Sequence, residues 1–353
     1  MKTKILFPIL ALAALALLLG GCATGLTASS WPGVAADGEY AFVAGGAYVY
    51  AVNLQTGVEA WRFPEKASAA NPFQAPPVLT ENGQLLVGGY DHKLYSLDPA
   101  TGAEIWVFAE ARDRWIGSVL VANELIFAPN ADYNLYALDM NGNRQWAFDA
   151  KQSIWGTPVS DGENVYFGTL GSKFFALKAG TGNLVWETEL TGAVLGSPVL
   201  TDGVLYVGLF SGDMVALDAR DGSLLWSQPT GSWIWSGPVL SGSTLYFGNG
   251  AGDFAAMDLH GNVLWNEELS GAITGAPLLN GDTLVIGTES GNIYYINTDG
   301  TDLRPVSVSG KVYSTLVISG DMLLVGLTEN EDKAILTALD PNGAILWTFL
   351  PEK

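Results

Sequence analysis

The sequence contains few side chains that could carry out catalysis. Its only histidines, His92 and His260, lie in the turn contexts Tyr90-Asp-His-Lys and Leu259-His-Gly-Asn. Neither is next to a candidate nucleophile, and a hydrolytic triad needs a base that is positioned beside one. We therefore expect no hydrolytic site and no enzyme.

A recurring acidic position is a second candidate for chemistry, because carboxylates are the usual ligands of calcium. Five repeats carry aspartate there and two carry asparagine: Asp98, Asp139, Asp218, Asp258 and Asp340, with Asn53 and Asn297. Each precedes a turn glycine, where a side-chain oxygen can accept hydrogen bonds from turn amides. One carboxylate per repeat cannot converge on a single ion, so we expect capped turns and no metal site.

The single cysteine indicates lipidation. Lys2 and Lys4 precede the apolar run 5–19, which ends in Leu19-Gly-Gly-Cys22 and resembles a bacterial lipobox. With one cysteine, neither an internal disulfide nor a cysteine metal site can form. We expect a signal peptide over residues 1–21, an acylated Cys22 and a lipidated linker over 22–31. An uncleaved anchor is the alternative, although the run is shorter than the ~20 residues of a spanning helix.

Charge limits the class of partner. The 353 residues include 16 Lys and Arg against 36 Asp and Glu, a formal net charge of −20, and loss of Lys2 and Lys4 with the signal peptide lowers it to −22. Such a field repels phosphate backbones, so we expect no nucleic-acid partner. Hydrophobic residues make up 48% of the chain and charged ones 15%, which indicates a folded domain.

An internal repeat of about 40 residues organises the chain. Turn glycines recur at intervals of 39 to 45 residues: Gly57, Gly102, Gly142, Gly182, Gly222, Gly261, Gly300 and Gly343. Four residues after each glycine stand Trp61, Trp106, Trp146, Trp186, Trp226, Trp265, Arg304 and Trp347. Because these tryptophans share one place in every unit, we expect them to fill the wedge between neighbouring sheets.

Each unit reads as four short strands. In the fifth unit, apolar runs of three to five residues are separated by turns at Asp202-Gly203, Ser211-Gly212 and Asp221-Gly222. No segment after Cys22 sustains a helical period. A single four-stranded meander cannot bury both faces, so the units must stack. We predict an all-β, eight-bladed β-propeller of four-stranded antiparallel blades over residues 32–353, acting as a monomer.

The segments Leu94-Tyr-Ser-Leu-Asp98 and Leu135-Tyr-Ala-Leu-Asp139, each followed by Gly-x-x-x-Trp, resemble the tryptophan-docking repeat of PQQ-type (quinoprotein-like) β-propellers. A lipoprotein of eight such repeats without a catalytic domain is similar to the BamB family of outer-membrane assembly lipoproteins. The resemblance implies that the first strand of each blade is innermost. Quinoprotein dehydrogenases are longer and carry an adjacent cysteine pair, so we expect no cofactor here.

One set of aromatic residues differs between blades and is the candidate binding site. Nine residues after the repeat position come Trp115, Trp155, Trp235 and Tyr313, in the loops that lead into a first strand. The same loops carry Trp233, Arg112, Arg114 and Lys151. We expect these side chains to surround the mouth of a central channel as a docking surface. The alternative is that the aromatic residues only pack the inner ends of the blades.

Three functions remain open. The first is a non-enzymatic, lipid-anchored scaffold that binds another envelope protein; the resemblance implies a β-barrel assembly machine as partner. Ala23 follows Cys22 where an aspartate would favour inner-membrane retention, which permits outer-membrane placement. The second is a propeller that binds a small ligand or glycan on the channel-mouth aromatics. The third is a PQQ-dependent, quinoprotein-like sensor or enzyme.

Overall fold

The computed structural model describes residues 32–68, 70–328 and 330–352. These residues form 32 β-strands and no helix, grouped into eight four-stranded antiparallel sheets. The strands of every sheet follow chain order, so each sheet is one contiguous blade. The predicted eight-bladed β-propeller is confirmed. Cys22, the signal peptide over 1–21 and the linker over 22–31 lie outside the described residues.

The first four blades take up the amino-terminal half of the ring. Blade one contains β1 Gly33–Ala36, β2 Tyr40–Gly45, β3 Tyr48–Asn53 and β4 Glu59–Phe63. Blade two contains β5 Val78–Leu79, β6 Leu85–Gly88, β7 Leu94–Leu97 and β8 Glu104–Phe108. Blade three contains β9 Leu120–Ala122, β10 Leu125–Pro129, β11 Asn134–Asp139 and β12 Arg144–Asp149. Blade four contains β13 Val159–Ser160, β14 Asn164–Gly168, β15 Lys173–Lys178 and β16 Leu184–Glu189.

The last four blades complete the ring. Blade five contains β17 Val199–Thr201, β18 Val204–Gly208, β19 Asp213–Asp218 and β20 Leu224–Pro229. Blade six contains β21 Val239–Ser241, β22 Thr244–Gly248, β23 Asp253–Asp258 and β24 Val263–Glu268. Blade seven contains β25 Leu278–Asn280, β26 Thr283–Gly287, β27 Asn292–Asn297 and β28 Arg304–Ser307. Blade eight contains β29 Val317–Ser319, β30 Met322–Gly326, β31 Leu336–Leu339 and β32 Ile345–Phe349.

The position of a strand within its blade decides its burial. First strands of neighbouring blades contact one another, as β1 does with β5 and β29, which places them around the axis. The second and third strands are apolar and buried, because blades pack on both of their faces. The fourth strands are outermost and alternate exposed with partly buried residues. Within the described residues, no helix is long and apolar enough to cross a bilayer.

The repeat tryptophans join each blade to the next. Each indole nitrogen donates a hydrogen bond of 2.8 to 3.1 Å to a backbone carbonyl in the third-to-fourth-strand turn of the following blade. In chain order the acceptors for Trp61, Trp106, Trp146, Trp186, Trp226, Trp265 and Trp347 are Pro99, Met140, Ala179, Ala219, Leu259, Thr298 and Leu54. The tryptophans therefore tie the blades together through both packing and hydrogen bonding.

The turn glycines are required by the same contact. Gly182 has φ +70, and a Cβ added there would lie 2.6 Å from the ring of Trp146 in the preceding blade. Only glycine combines the left-handed backbone with room for an indole directly above it. In the Gly-x-x-x-Trp motif of a blade, the glycine thus contacts the tryptophan of the preceding blade. The tryptophan of the same motif docks on the following blade.

Among the residues that the structure describes, the ring closes without a strand exchanged between blades. Trp347 in blade eight donates its indole N–H to the carbonyl of Leu54 in blade one at 2.8 Å. Near the axis, the hydroxyl of Ser314 donates to the carbonyl of Pro32 at 2.7 Å. The closing interface therefore uses the same indole contact as the other tryptophan-docked interfaces.

The recurring aspartates cap turns, as expected. The Oδ1 atom of Asp139 accepts hydrogen bonds from the backbone amides of Asn141 and Asn143, both at 2.9 Å. Asp258 accepts from the amides of His260 and Asn262 in the same way. The side-chain amides of Asn143 and Asn262 also donate to these carboxylates, and together with the backbone amides they hold the pKa of Asp139 and Asp258 below the ordinary value.

Candidate functional site

A central cavity of about 460 Å³ lies on the propeller axis and is lined by loops from all eight blades. At one equivalent position, each loop that leads into blades three to eight contributes a lining residue. These residues are Ile116, Trp155, Leu195, Trp235, Thr274 and Tyr313. Among the described residues that form the wall there is no aspartate, glutamate, histidine, lysine or arginine. In a chain with a net charge of −20, this uncharged wall suits a neutral, partly aromatic ligand or side chain.

Glycines let the loops approach one another around the cavity. A Cβ on Gly156 would lie 2.5 Å from the carbonyl oxygen of Gly196 in the next loop. A Cβ on Gly196 would lie 2.3 Å from the backbone of Ser236. The inner loops therefore pack backbone against backbone, and the position of each aromatic side chain follows from its place in a tightly packed ring.

Trp115 is not at the channel mouth, so its expected placement is wrong. Its side chain is fully buried and packs against Phe108 and Tyr136, with ring centroids 6.4 and 6.0 Å apart. Trp115 packs over Gly88 in the same way as Ile234 packs over Gly208. Ile234 is the buried residue directly before the cavity residue Trp235, so Trp115 occupies the equivalent buried position. The loop after Trp106 is one residue longer than the corresponding loops that lead into blades four to eight, which shifts the cavity position onto Ile116.

Trp155, Trp235 and Tyr313 do line the cavity, and two of them continue into a larger aromatic group. The rings of Trp155 and Trp235 are 6.4 Å apart. Trp235 also contacts Trp233 at 6.1 Å and Phe210 at 6.0 Å, and Phe210 stacks on Trp233 at 5.7 Å. We call Trp155, Trp235, Trp233 and Phe210 the aromatic ridge. It runs from the cavity over the loops that lead into blades four and six and onto the β18–β19 loop of blade five.

The ridge is held in place by a glycine. A Cβ on Gly250 would lie 1.9 Å from the indole of Trp233, so this indole lies on the Gly250 backbone with Phe210 on its other side. Phe210, which is 44% exposed, was not a candidate in the sequence analysis. It belongs to the loop between β18 and β19, a different loop set from the tryptophans. A large aromatic residue in a polar turn, Leu-Phe-Ser-Gly, was the signal that could have identified it.

The three cations expected at the rim are all exposed, and two of them have partners nearby. The ammonium of Lys151 lies 2.6 Å from Asp149, and this contact lowers the pKa of Asp149. The guanidinium of Arg114 lies 5.3 Å from the ring centre of Tyr90. Arg112 is also exposed. Exposed ion pairs of this kind contribute little stability, so the cations remain available to a partner.

Two polar atoms in the cavity wall have no hydrogen-bond partner within the described part of the chain: Nε1 of Trp155 and Oγ of Ser236. Both atoms are buried, and Ser236 is only 8% exposed. A buried donor without a partner is costly. A molecule in the cavity that accepts a hydrogen bond from the indole would remove this cost.

Quinone and metal chemistry do not match these residues. Among residues 32–68, 70–328 and 330–352, no three metal-ligating side chains cluster. The cavity wall offers no carboxylate to hold a cation beside a bound quinone. The residues present therefore do not fit a metal-dependent quinone cofactor.

Residues 45–154 and 149–349 match the protein family described as outer membrane protein assembly factor BamB. The chain belongs to the BamB family. One curated relative, the BamB of Nitrosomonas eutropha, is 32% identical over 99 residues, a match that covers 28% of this chain and 24% of the relative. The chain thus matches about a quarter of that relative's length.

Solved structures share the fold. The crystal structure of BamB from Moraxella catarrhalis has a TM-score of 0.71 at 19% identity, over 83% of this chain and 92% of that chain. The computationally designed Ika8 protein has a TM-score of 0.76 at 16% identity, over 88% and 96%. A europium-containing methanol dehydrogenase has a TM-score of 0.69 at 14% identity, over 84% and 82%. A fold common to a BamB, a design and an enzyme does not decide function.

Proposed function

We propose that this BamB-family chain is a non-enzymatic, lipid-anchored scaffold that binds another protein of the cell envelope through the aromatic ridge. The family and its curated relative are named for outer-membrane protein assembly, which supports a role in that process. The partner is then a component that assembles outer-membrane β-barrel proteins. Acylation of Cys22 would hold the propeller at the membrane where that partner lies.

The partly exposed aromatic ridge is the observation that carries this proposal. Trp233 stacks on Phe210 and packs against the Gly250 backbone, and these two contacts restrict the rotamers open to it before a partner arrives. Rigid aromatic side chains lose little entropy on binding and dominate the energy of many interfaces. The exposed cations Arg112, Arg114 and Lys151, in the loops that lead into blades three and four, would add polar contacts if the interface extends to these loops.

Affinity purification from detergent-solubilised envelope tests the proposal. The wild-type protein should retain a β-barrel assembly component, and Trp233→Ala and Phe210→Ala should each reduce its yield by about tenfold or more. Leu264→Ala is the matched control, because Leu264 is 55% exposed but lies on the outer strand β24. If both ridge variants retain the partner, the ridge is not the interface. If the wild-type protein captures no assembly component, the assembly role is wrong.

A second candidate function is the binding of a small neutral ligand or glycan in the central cavity. Two buried atoms favour it, Nε1 of Trp155 and Oγ of Ser236, because neither has a hydrogen-bond partner in the described part of the chain. Neutral oligosaccharides should then change the tryptophan fluorescence of the wild-type protein. Trp155→Ala should abolish that change and leave the melting temperature nearly unaltered. An equal response in wild type and variant would exclude the cavity as the site.

The non-enzymatic part of the proposal has its own test. Because the cavity wall carries no carboxylate, addition of PQQ with calcium should leave the absorbance spectrum equal to the sum of the components. A new quinone band that is retained through gel filtration would overturn this part of the proposal. It would leave the partner-binding test unaffected.

A further inference from the structure

Blade seven departs from the docking pattern at two facing positions. In the seven other blades the docking tryptophan pairs across the sheet with a small residue: Ala51, Ser96, Ala137, Ala176, Ala216, Ala256 and Ala338. In blade seven the facing pair is Tyr295 with Arg304. A small residue and a tryptophan have been replaced together by a tyrosine and an arginine.

The cleft is filled only in part: Val306 packs on Gly343, where an indole packs on the turn glycine of the other blades, and a Cβ on Gly343 would lie 2.4 Å from it. The guanidinium carbon of Arg304 lies 5.3 Å from the ring centre of Tyr295, and these two side chains stack on each other. A cavity of about 290 Å³ remains between blades seven and eight, lined by both residues and by Val285, Leu323 and Pro341. Pro341 follows Asp340 and so holds the place of the residues whose carbonyls accept an indole N–H in the other blades, such as Ala219 after Asp218.

The cleft presents a hydroxyl that lacks a partner. Tyr295 is only 7% exposed, and its hydroxyl has no hydrogen-bond partner among the described residues. Its burial raises the pKa of the phenol, which therefore stays neutral and can both donate and accept a hydrogen bond. A buried polar group in this condition is stabilised by any bound molecule that completes its hydrogen bonding.

Local charge indicates that the missing partner is neutral. Arg304 already lies 3.4 Å from Asp302, and Asp321 is part of the cavity wall. The whole chain carries a net charge of −20. The negative charge of the chain would repel an anionic ligand, and the guanidinium of Arg304 would repel a cation.

We propose that the cleft between blades seven and eight binds a neutral, indole-sized aromatic group. Its volume lies near the small end of ligand pockets, roughly 300 to 1,000 Å³, and suits a single fused ring system. The ring lies beside Val306, in the part of the cleft that this valine leaves open, against the Tyr295 and Arg304 layer. Its N–H is donated to the Tyr295 hydroxyl or the Pro341 carbonyl. A free aromatic molecule and a tryptophan side chain of a peptide present the same group.

Indole itself is the probe, and saturation-transfer NMR with isothermal titration on the purified propeller measures its binding. The wild-type protein should bind indole at one site. The double variant Arg304→Trp with Tyr295→Ala restores the pattern of the other blades and fills the cleft, so it should lose that site. Tyr295→Phe removes only the hydroxyl and should weaken binding by about tenfold if the phenol accepts the indole N–H, or leave it unchanged if Pro341 accepts it.

N-acetyl-tryptophanamide separates the two sources of the ligand. If it competes with indole, the cleft admits a peptide-borne tryptophan; if only indole binds, the site takes free aromatic molecules. Equal indole binding by the wild type and the double variant, or no binding by the wild type, would overturn the proposal. A melting temperature of the double variant at or above that of wild type shows that it is folded. If it unfolds, Leu323→Trp, which fills the cleft from blade eight, takes its place.

Discussion

Trp186 donates its indole N–H to the carbonyl of Ala219 at 3.0 Å, and only 8% of Trp186 is exposed. The contact joins blades four and five, and an equivalent one joins six other pairs of neighbours. Trp186→Ala should lower the free energy of unfolding by about 3 to 5 kcal/mol, the usual cost of removing a large buried aromatic side chain. Trp186→Phe should cost less, because most of the packing remains and the hydrogen bond is lost. Urea unfolding measures both, and equal losses would contradict this division.

Gly180 and Gly182 lie in the same turn, so alanine substitutions at the two positions can be compared directly. The comparison separates the effect of a strained, crowded glycine from that of an added methyl group in the turn. Gly182→Ala places a Cβ 2.6 Å from the ring of Trp146 in a left-handed backbone, which costs about 1 to 2 kcal/mol before the contact is counted. Gly180→Ala meets nothing within 4 Å and should be close to neutral. Thermal unfolding of the two variants should differ by several degrees. Equal melting temperatures of the two variants would show that close packing of the Trp146 indole on Gly182 does not contribute to stability.

The turn that ends β19 should make stability depend on acid. Hydrogen bonds from the Arg220 side chain and backbone amide to Asp218 hold the pKa of this carboxyl at about 2. A depressed pKa means stabilisation that is complete above the ordinary aspartate pKa near 4 and is lost as the pH falls towards 2. Asp218→Asn should therefore lower the melting temperature at pH 7 and have little effect near pH 2. A difference that stays constant across this range would contradict the ion pair as its cause.

Gly250 offers a way to move the aromatic ridge without removing an aromatic residue. In Gly250→Ala the new Cβ would lie 1.9 Å from the indole of Trp233, so that side chain must leave the position where it stacks on Phe210. We expect partner capture to fall as in Trp233→Ala, with the propeller still folded by circular dichroism. Gly180→Ala, whose new Cβ would meet nothing within 4 Å and whose backbone, like that of Gly250, is not left-handed, controls for an added methyl group. Undiminished capture by Gly250→Ala would show that the stacked geometry does not matter.

Lipidation at Cys22 is testable on the full-length chain. Cys22→Ser should move the protein from the membrane fraction to the soluble fraction of the envelope and abolish incorporation of radiolabelled palmitate. The thioether cannot form on a serine hydroxyl. Retention of Cys22→Ser in the membrane fraction would indicate an uncleaved amino-terminal anchor.

Periodicity in the sequence was enough to predict the architecture. In each docked blade the glycine that packs under the indole of the preceding blade lies four residues before the tryptophan that packs on the following blade, as Gly182 and Trp186 show. Both halves of the interface are therefore visible within one short stretch of sequence. The same regularity exposed the exception at Arg304. Short-range spacing sufficed because a propeller repeats one interface and closes on itself.

The candidate site depended on tertiary structure. One extra residue in the loop after Trp106 moved Trp115 into the core and put Ile116 at the cavity, a shift that counting from the tryptophan could not detect. Phe210 joins the ridge from another loop. Tyr295, on the neighbouring strand, packs against Arg304 where the other blades carry a small residue against a tryptophan. Sequence alone determined how many blades there are and what joins them, since those contacts recur. Which side chains meet at the axis and in the seventh cleft was decided by lateral packing between loops and strands that no local spacing encodes.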